Sequence, residues 1–229
     1  MIIGTLVNTA TVIVGSFIGL FLKKSLPEKY QNIYFQGIGL FTILLGVKMS
    51  LDISSPLIVV CSLVLGGLLG EKINLQEKTE QLGDWIKSKT NSENDRFTEG
   101  LTTSFLLFCM GSMTIVGAIE EGFGKTSDLL LTKAVLDGFS ALMLASALGI
   151  GVLFSAILLF SFQGGISLLV MILGKNIPSE IISEITVVAG IMLIGLGFNL
   201  LEIKKLRIIN LLPSLVFISI FIWLKLQFL

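Results

Sequence analysis

Two ionisable residues, Lys133 and Asp137, stand four apart in the apolar run 129–148, so a helix there puts both on one face. Asp137 lies about two turns into that run, roughly 10 Å deep at about 1.5 Å per residue. Charge inside an apolar segment is costly and marks a functional site by default. Two readings are open for the pair: an ion or proton site with Lys133 as counter-charge or anion ligand, and a structural ion pair that fixes helix packing. Just upstream, Glu120 and Glu121 close another apolar run, 101–119. Paired carboxylates suit oxygen-preferring cations, and an ordinary solvated loop acid is the competing reading. Glu120, three residues after Gly117, is expected to face the bundle. The same run contains Cys109-Met110-Gly111-Ser112-Met113-Thr114, a small and polar interruption. Freed carbonyls with the hydroxyls of Ser112 and Thr114 would suit a monovalent cation at a broken helix; close packing through Gly111, Gly117 and Ala118 explains the same residues. Soft-metal binding by Cys109, Met110 and Met113 is the weaker alternative, since methionine commonly fills cores. Asn8 and Gln163 are uncharged amides inside apolar runs. They are candidate ligands, or partners in interhelical hydrogen bonds worth about 0.6–2 kcal/mol.

The elements that must position these residues are membrane helices. Of 229 residues, 53% are hydrophobic and 14% charged, against about 25% charged in a soluble domain; mean hydropathy is +0.93. Several apolar runs approach the roughly 20 residues needed to cross a bilayer. Net charge is zero, which offers nothing to nucleic acid. Histidine is absent, so no His-based catalysis or His-ligated metal is expected. With no HExxH or CxxC constellation either, an enzyme is the least expected class, and no metal or cofactor beyond a bound monovalent cation or proton is expected. Cys61 and Cys109 sit in apolar runs and read as small core residues. The first segment lacks a basic leader and ends at Lys23-Lys24, unlike a cleaved signal.

Eight segments are expected, at about 2–22, 33–49, 56–70, 101–119, 129–148, 152–173, 185–201 and 209–223, in an all-α membrane protein. Segment six is expected to be interrupted at Gln163-Gly164-Gly165. Gly149-Ile150-Gly151 should turn tightly, Pro213 should stand in the first turn of segment eight, and Asn199 and Asn210 should cap helices or meet headgroups. Residues 71–99 are the one soluble-looking stretch: Ile73, Leu75, Leu82, Trp85 and Ile86 recur at helical spacing among charges, as in a helix lying at the membrane interface. With eight crossings, the loops after segments one, three and seven share a side. They carry Lys23, Lys24, Lys29, Lys72, Lys78, Lys87, Lys89, Arg96, Lys204, Lys205 and Arg207, eleven of the sixteen basic residues. The positive-inside rule makes that side cytoplasmic and both termini extracytoplasmic. Making segment five re-entrant would put Lys204–Arg207 on the opposite side.

Shifting the chain by 151 residues against itself aligns Ser16 with Ser167, Lys24 with Lys175, Pro27 with Pro178, Gly39 with Gly190, Ile43 with Ile194, and Leu45-Gly46 with Leu196-Gly197. Segments one to three then map onto six to eight. The shift is five crossings, so the copies are inverted, an arrangement of many secondary transporters with a site near the midplane where the repeats meet. The expected organisation is a single membrane domain: repeat A at 1–70, the interfacial helix and linker at 71–99, a central helix pair at 100–150, and repeat B at 151–229.

Several motifs resemble one family. They are Gly4-Thr5-Leu6-Val7-Asn8 with Gly15 and Gly19; Phe108 to Ile119; Lys133-Ala134-Val135-Leu136-Asp137-Gly138; Gly149 to Ser155; Gln163-Gly164; and Asn210-Leu211-Leu212-Pro213. In that order they resemble the bacterial DUF554 family of integral membrane proteins. The resemblance implies a bacterial cytoplasmic membrane and no particular substrate. The expectation from the residues is a secondary transporter or exchanger of a small ion or solute, with candidate ligands Lys133, Asp137, Glu120, Thr114, Ser112, Asn8 and Gln163. An oligomeric ion channel and a non-transporting scaffold or sensor acting through residues 71–99 are the alternatives. Expected partners are the bilayer and the small ion or solute; the Gly15/Gly19 and Gly66/Gly70 pairs suit close packing either within one chain or across a homo-oligomer, and the motif does not decide between them.

Overall fold

The computed structural model describes residues 2–22, 28–81, 96–124, 128–173 and 178–228. The Lys24/Lys175 and Pro27/Pro178 matches, and residues 82–95 with Trp85, lie outside them. The described residues form helices α1 (Ile3–Leu22), α2 (Glu28–Ser50), α3 (Pro56–Lys72), α4 (Leu75–Gln81), α5 (Phe97–Cys109), α6 (Ser112–Gly122), α7 (Asp128–Leu148), α8 (Gly151–Leu173), α9 (Ser179–Leu200) and α10 (Ser214–Phe228), with a 3₁₀ turn at Ile208–Leu211. No strand occurs among them. The protein is an all-helical membrane protein. Among the described residues six helices are long and apolar enough to cross a bilayer, and the number rises to eight if each of two bent pairs, α3 with α4 (46°) and α5 with α6 (62°), is one span. Apolar side chains stay on the outside: Leu57 is 77% exposed and Ile172 72%. Such a surface suits lipid and would be a liability in water.

Local chemistry explains the helix ends. Pro56 opens α3, where a missing N–H costs nothing. Gly149 turns the chain between α7 and α8 at φ 83°, a left-handed conformation that glycine adopts without strain. Pro213 lies just ahead of α10, not inside its first turn. α8 runs unbroken through Gln163-Gly164-Gly165, which corrects the expected interruption. The break expected at Cys109–Thr114 is present between α5 and α6, where Gly111 is extended at φ −69°, ψ 142°. α6 continues to Gly122, so Glu120 and Glu121 belong to its last turns and not to a loop. Cys109 is buried as expected, whereas Cys61 is exposed on α3 and is no core residue.

The chain divides into two compact units: residues 1–35 with 79–175, and residues 36–78 with 176–229. In the first, α1 and α7 pack side by side in the same direction. Leu130 meets Gly4, the Thr11 hydroxyl bonds the Ala134 carbonyl at 2.8 Å, Gly15 abuts the Gly138 backbone and Gly19 that of Leu142. α5 and α8 are also parallel, with Phe97 against Phe154 (ring centroids 5.6 Å apart) and Phe105 against Phe162 (6.1 Å).

In the second unit, α2 and α9 run antiparallel: Gly46 meets Gly190, and Gly39 meets Gly197. α3 and α10 do likewise, Gly66 lying on Ser214 and Gly70 on Asn210. The Asn210 side chain accepts from the Gln76 backbone N–H (2.7 Å) and donates to Glu71 (2.6 Å), which also pairs with Arg207. Asn199 clamps Leu206 through both backbone groups, at 2.9 and 2.7 Å. Asn210 therefore satisfies a main-chain donor in the first turn of α4, and Asn199 ties the end of α9 to the connection that follows it.

Candidate functional site: a buried polar chain in the first unit

α1, α6, α7 and α8 each turn polar side chains into the interior of the first unit. Exposure falls to 0% for Thr5, Asn8, Gln163 and Ser167, 2% for Glu121, and 5% for Lys133 and Asp137. The i,i+4 spacing on α7 brings the Lys133 ammonium to both oxygens of Asp137, at 2.6 and 2.5 Å. The Asn8 amide nitrogen donates to Asp137 Oδ2 (3.0 Å) and to Gln163 Oε1 (3.1 Å). Gln163 Nε2 donates to the Thr5 hydroxyl (3.0 Å), which donates onward to Glu121 Oε2 (2.6 Å). Ser167 closes the chain, its hydroxyl 3.2 Å from Glu121 Oε2 and 3.0 Å from the Ala118 carbonyl. One continuous hydrogen-bonded path thus runs Lys133–Asp137–Asn8–Gln163–Thr5–Glu121–Ser167.

The two carboxylates are held differently. Asp137 is matched by a lysine. Glu121 Oε1 accepts from the backbone N–H of Gly4 (2.5 Å) and Thr5 (3.3 Å). These are orphan donors of the first turn of α1, whose helix dipole favours a negative charge there. Gly4 leaves room for this approach, since a Cβ there would lie 3.2 Å from Glu121 Oε1. The Asn8 side-chain oxygen Oδ1, by contrast, is buried and meets no donor among the described residues.

Of the residues singled out by sequence, Lys133, Asp137, Asn8 and Gln163 come together. The Glu120/Glu121 assignment is reversed: Glu121 turns inward and Glu120 is half-buried. Gly117 plus four lies on the inner face as well as Gly117 plus three, and Gly122 packed on Ser167 and Val170 sets the rotation of α6. The Thr114 hydroxyl is taken up by the Phe108 carbonyl across the α5/α6 break (2.7 Å) and does not join the chain. The Ser112 side chain lies outside the described residues. Lys133 stands beside this break, its ammonium 5.9 Å from the Phe108 ring centroid. Among the described residues no group of three or more Cys, Asp or Glu side chains is arranged to hold a metal ion. Sequence reasoning passed over Thr5, Ser167 and Glu184. Thr5 is three residues before Asn8 and Ser167 four after Gln163, so same-face spacing was the available signal. Glu184, in the second unit, is 1% exposed and accepts the Ser54 N–H at 3.0 Å.

The family profile described as "Protein of unknown function (DUF554)" matches residues 3–223. The chain belongs to the DUF554 family. It is 39% identical over 216 residues to the uncharacterized membrane protein YdfK of Bacillus subtilis (strain 168), covering 93% of this chain and 92% of that protein. It is 27% identical over 223 residues to the uncharacterized protein YqgA of Escherichia coli (strain K12), covering 94% of each. No solved structure matches. The DUF554 match takes in all four helices that build the polar chain.

Proposed function

We propose that this DUF554 protein is a secondary transporter or exchanger of a small ion or solute, working through the buried polar chain. The observation that carries the reading is the burial of Lys133, Asp137 and Glu121, at 5%, 5% and 2% exposure, among helices whose outer faces are apolar. Ionisable groups at membrane depth are costly and face sites or pathways. A packing role alone would be met by apolar residues of similar volume.

The parallel packing of α1 on α7 supports eight crossings. If α2 and α3 each cross, α7 can run parallel to α1 only when the bent α5/α6 pair crosses once; a re-entrant pair would make them antiparallel. The Arg207–Glu71 ion pair brings the α9–α10 connection to the end of α3, as eight crossings require. An inverted repeat is supported by how the repeat mates meet. At the 151-residue shift Gly39 corresponds to Gly190 and Gly46 to Gly197, and the contacts cross: Gly39 with Gly197, Gly46 with Gly190. A local two-fold axis between α2 and α9 gives this reciprocity. In the first unit Asn8 of repeat A bonds Gln163 of repeat B, so ligands from both copies meet, as in inverted-repeat transporters. The positive-inside rule then gives a cytoplasmic-membrane protein with both termini outside.

The test is flux in proteoliposomes under imposed gradients of Na⁺, K⁺, H⁺, halides and small metabolites. The expected result is selective, saturable flux far below channel turnover. Channel-like conductance, or no flux of any solute by folded protein, would overturn the reading.

A further inference from the structure

We infer that the constellation around Asp137 is a site for a dehydrated monovalent cation, and that the Lys133 ammonium is its built-in competitor. The inference rests on the reading of Asp137 as the working carboxylate and names its ligand class.

The charge count decides the class. Glu121 already accepts from Gly4 N–H, Thr5 N–H, the Thr5 hydroxyl and the Ser167 hydroxyl, so it is committed to the start of α1. That leaves Asp137 as the single carboxylate at the other end of the chain. Two neutral oxygens belong to its hydrogen-bonded neighbours: Asn8 Oδ1, on the amide bonded to Asp137, which accepts from nothing among the described residues although Asn8 is fully buried, and Gln163 Oε1, which accepts from that same Asn8 amide. One carboxylate with amide oxygens is a hard, singly negative ligand set. It neutralises a monovalent cation; a divalent ion would stay half uncompensated in an apolar interior, and an anion would face Asp137.

The geometry adds the competition. Lys133 Nζ reaches both Asp137 oxygens, at 2.6 and 2.5 Å, so a second cation on the same carboxylate would meet the ammonium charge at close range in a dry interior. Lys133 is five residues into α7, about 8 Å from its start, and its four-carbon stem can withdraw the ammonium toward that end. Asn8 Oδ1 belongs to the same amide that holds Asp137 Oδ2, so it is already at the site when the ammonium leaves. Ammonium and free cation then exclude each other on Asp137, which separates this arrangement from a structural ion pair. In a structural pair, deleting Lys133 only destabilises. In a competed site, deleting it strengthens cation binding.

The experiment is titration of the purified full chain in detergent with LiCl, NaCl, KCl and RbCl at constant ionic strength, read by calorimetry and thermal shift. Lys133→Met is expected to bind one alkali cation about tenfold or more tighter than wild type. Asp137→Asn and the neutral pair Lys133→Met/Asp137→Asn, which keeps the packing volume, are expected to show no saturable binding. Binding by Lys133→Met no tighter than wild type overturns the inference. Should that variant not fold, Asn8→Ala decides: wild type must bind an alkali cation saturably and Asn8→Ala about tenfold more weakly, and absent or unchanged binding overturns it. Two results separate this inference from the transport reading. Asp137-dependent flux of another solute, without alkali binding, removes the cation site and keeps transport. Tight alkali binding by Lys133→Met, without flux of anything by wild type, keeps the site and removes transport.

Discussion

Glu121 and Asp137 differ in what their removal exposes. Truncating Glu121 leaves the Gly4 and Thr5 N–H groups and the Thr5 hydroxyl without their acceptor in a dry interior, where each unmet group costs about 1–3 kcal/mol. Glu121→Ala is therefore expected to lose about 2–4 kcal/mol of stability. Glu121→Gln keeps an acceptor oxygen for the α1 N–H groups and should lose about half as much. Reversible denaturation of the detergent-solubilised protein measures both, and an Ala variant as stable as wild type would remove the helix-capping role. Sequence made the Lys133/Asp137 pair legible because i,i+4 spacing on an apolar helix leaves one arrangement. Asn8 and Gln163 were legible as rare amides in apolar runs. Thr5 and Ser167 were not, because hydroxyls in membrane helices usually bond their own backbone, as Thr42 and Ser62 do here. The Glu120/Glu121 choice depended on the rotation of an 11-residue helix, which neighbours set and periodicity does not.

Two glycine-containing stretches that look alike in sequence behave differently as elements. Gln163-Gly164-Gly165 stays helical, while Met110-Gly111 breaks. A membrane-spanning helix keeps its backbone bonds because unmet groups in hydrocarbon cost several kcal/mol, more than the roughly 1 kcal/mol propensity penalty of glycine. The α5/α6 break is buried, and the Thr114 hydroxyl satisfies the Phe108 carbonyl there. Its existence was readable from the small polar run, but its compensation was not. The glycines of α1 are more predictable in effect. Gly15 and Gly19 let the α1 backbone touch that of α7, whereas Gly37 has open space where a Cβ would stand. Gly15→Leu is expected to force α1 from α7 and abolish folded yield in fluorescence-detected size exclusion. Gly37→Ala should match wild type or exceed its stability by about 0.5–1 kcal/mol. Equal yields for Gly15→Leu and wild type would contradict the close α1/α7 crossing.

At the scale of the molecule, the all-helical architecture and the order of the hydrophobic segments were legible, because bilayer thickness sets segment length, and the six to eight candidate spans bracket the expected eight. The division into units was not. Each unit draws helices from both ends of the chain, α1 with α8 in one and α2, α3 with α9, α10 in the other, and hydropathy carries no pairing information. The eight-crossing topology has its own test. In a background without Cys61 and Cys109, Lys72→Cys and Glu202→Cys are expected to react with an impermeant maleimide from the same, cytoplasmic side. Labelling from opposite sides would contradict it. The most direct measurement is flux by wild type and Asp137→Asn reconstituted at equal density in the same liposomes. Transport by the buried polar chain predicts saturable flux for wild type and none for Asp137→Asn, with its helical content and elution unchanged. Equal flux from the two proteins would contradict it.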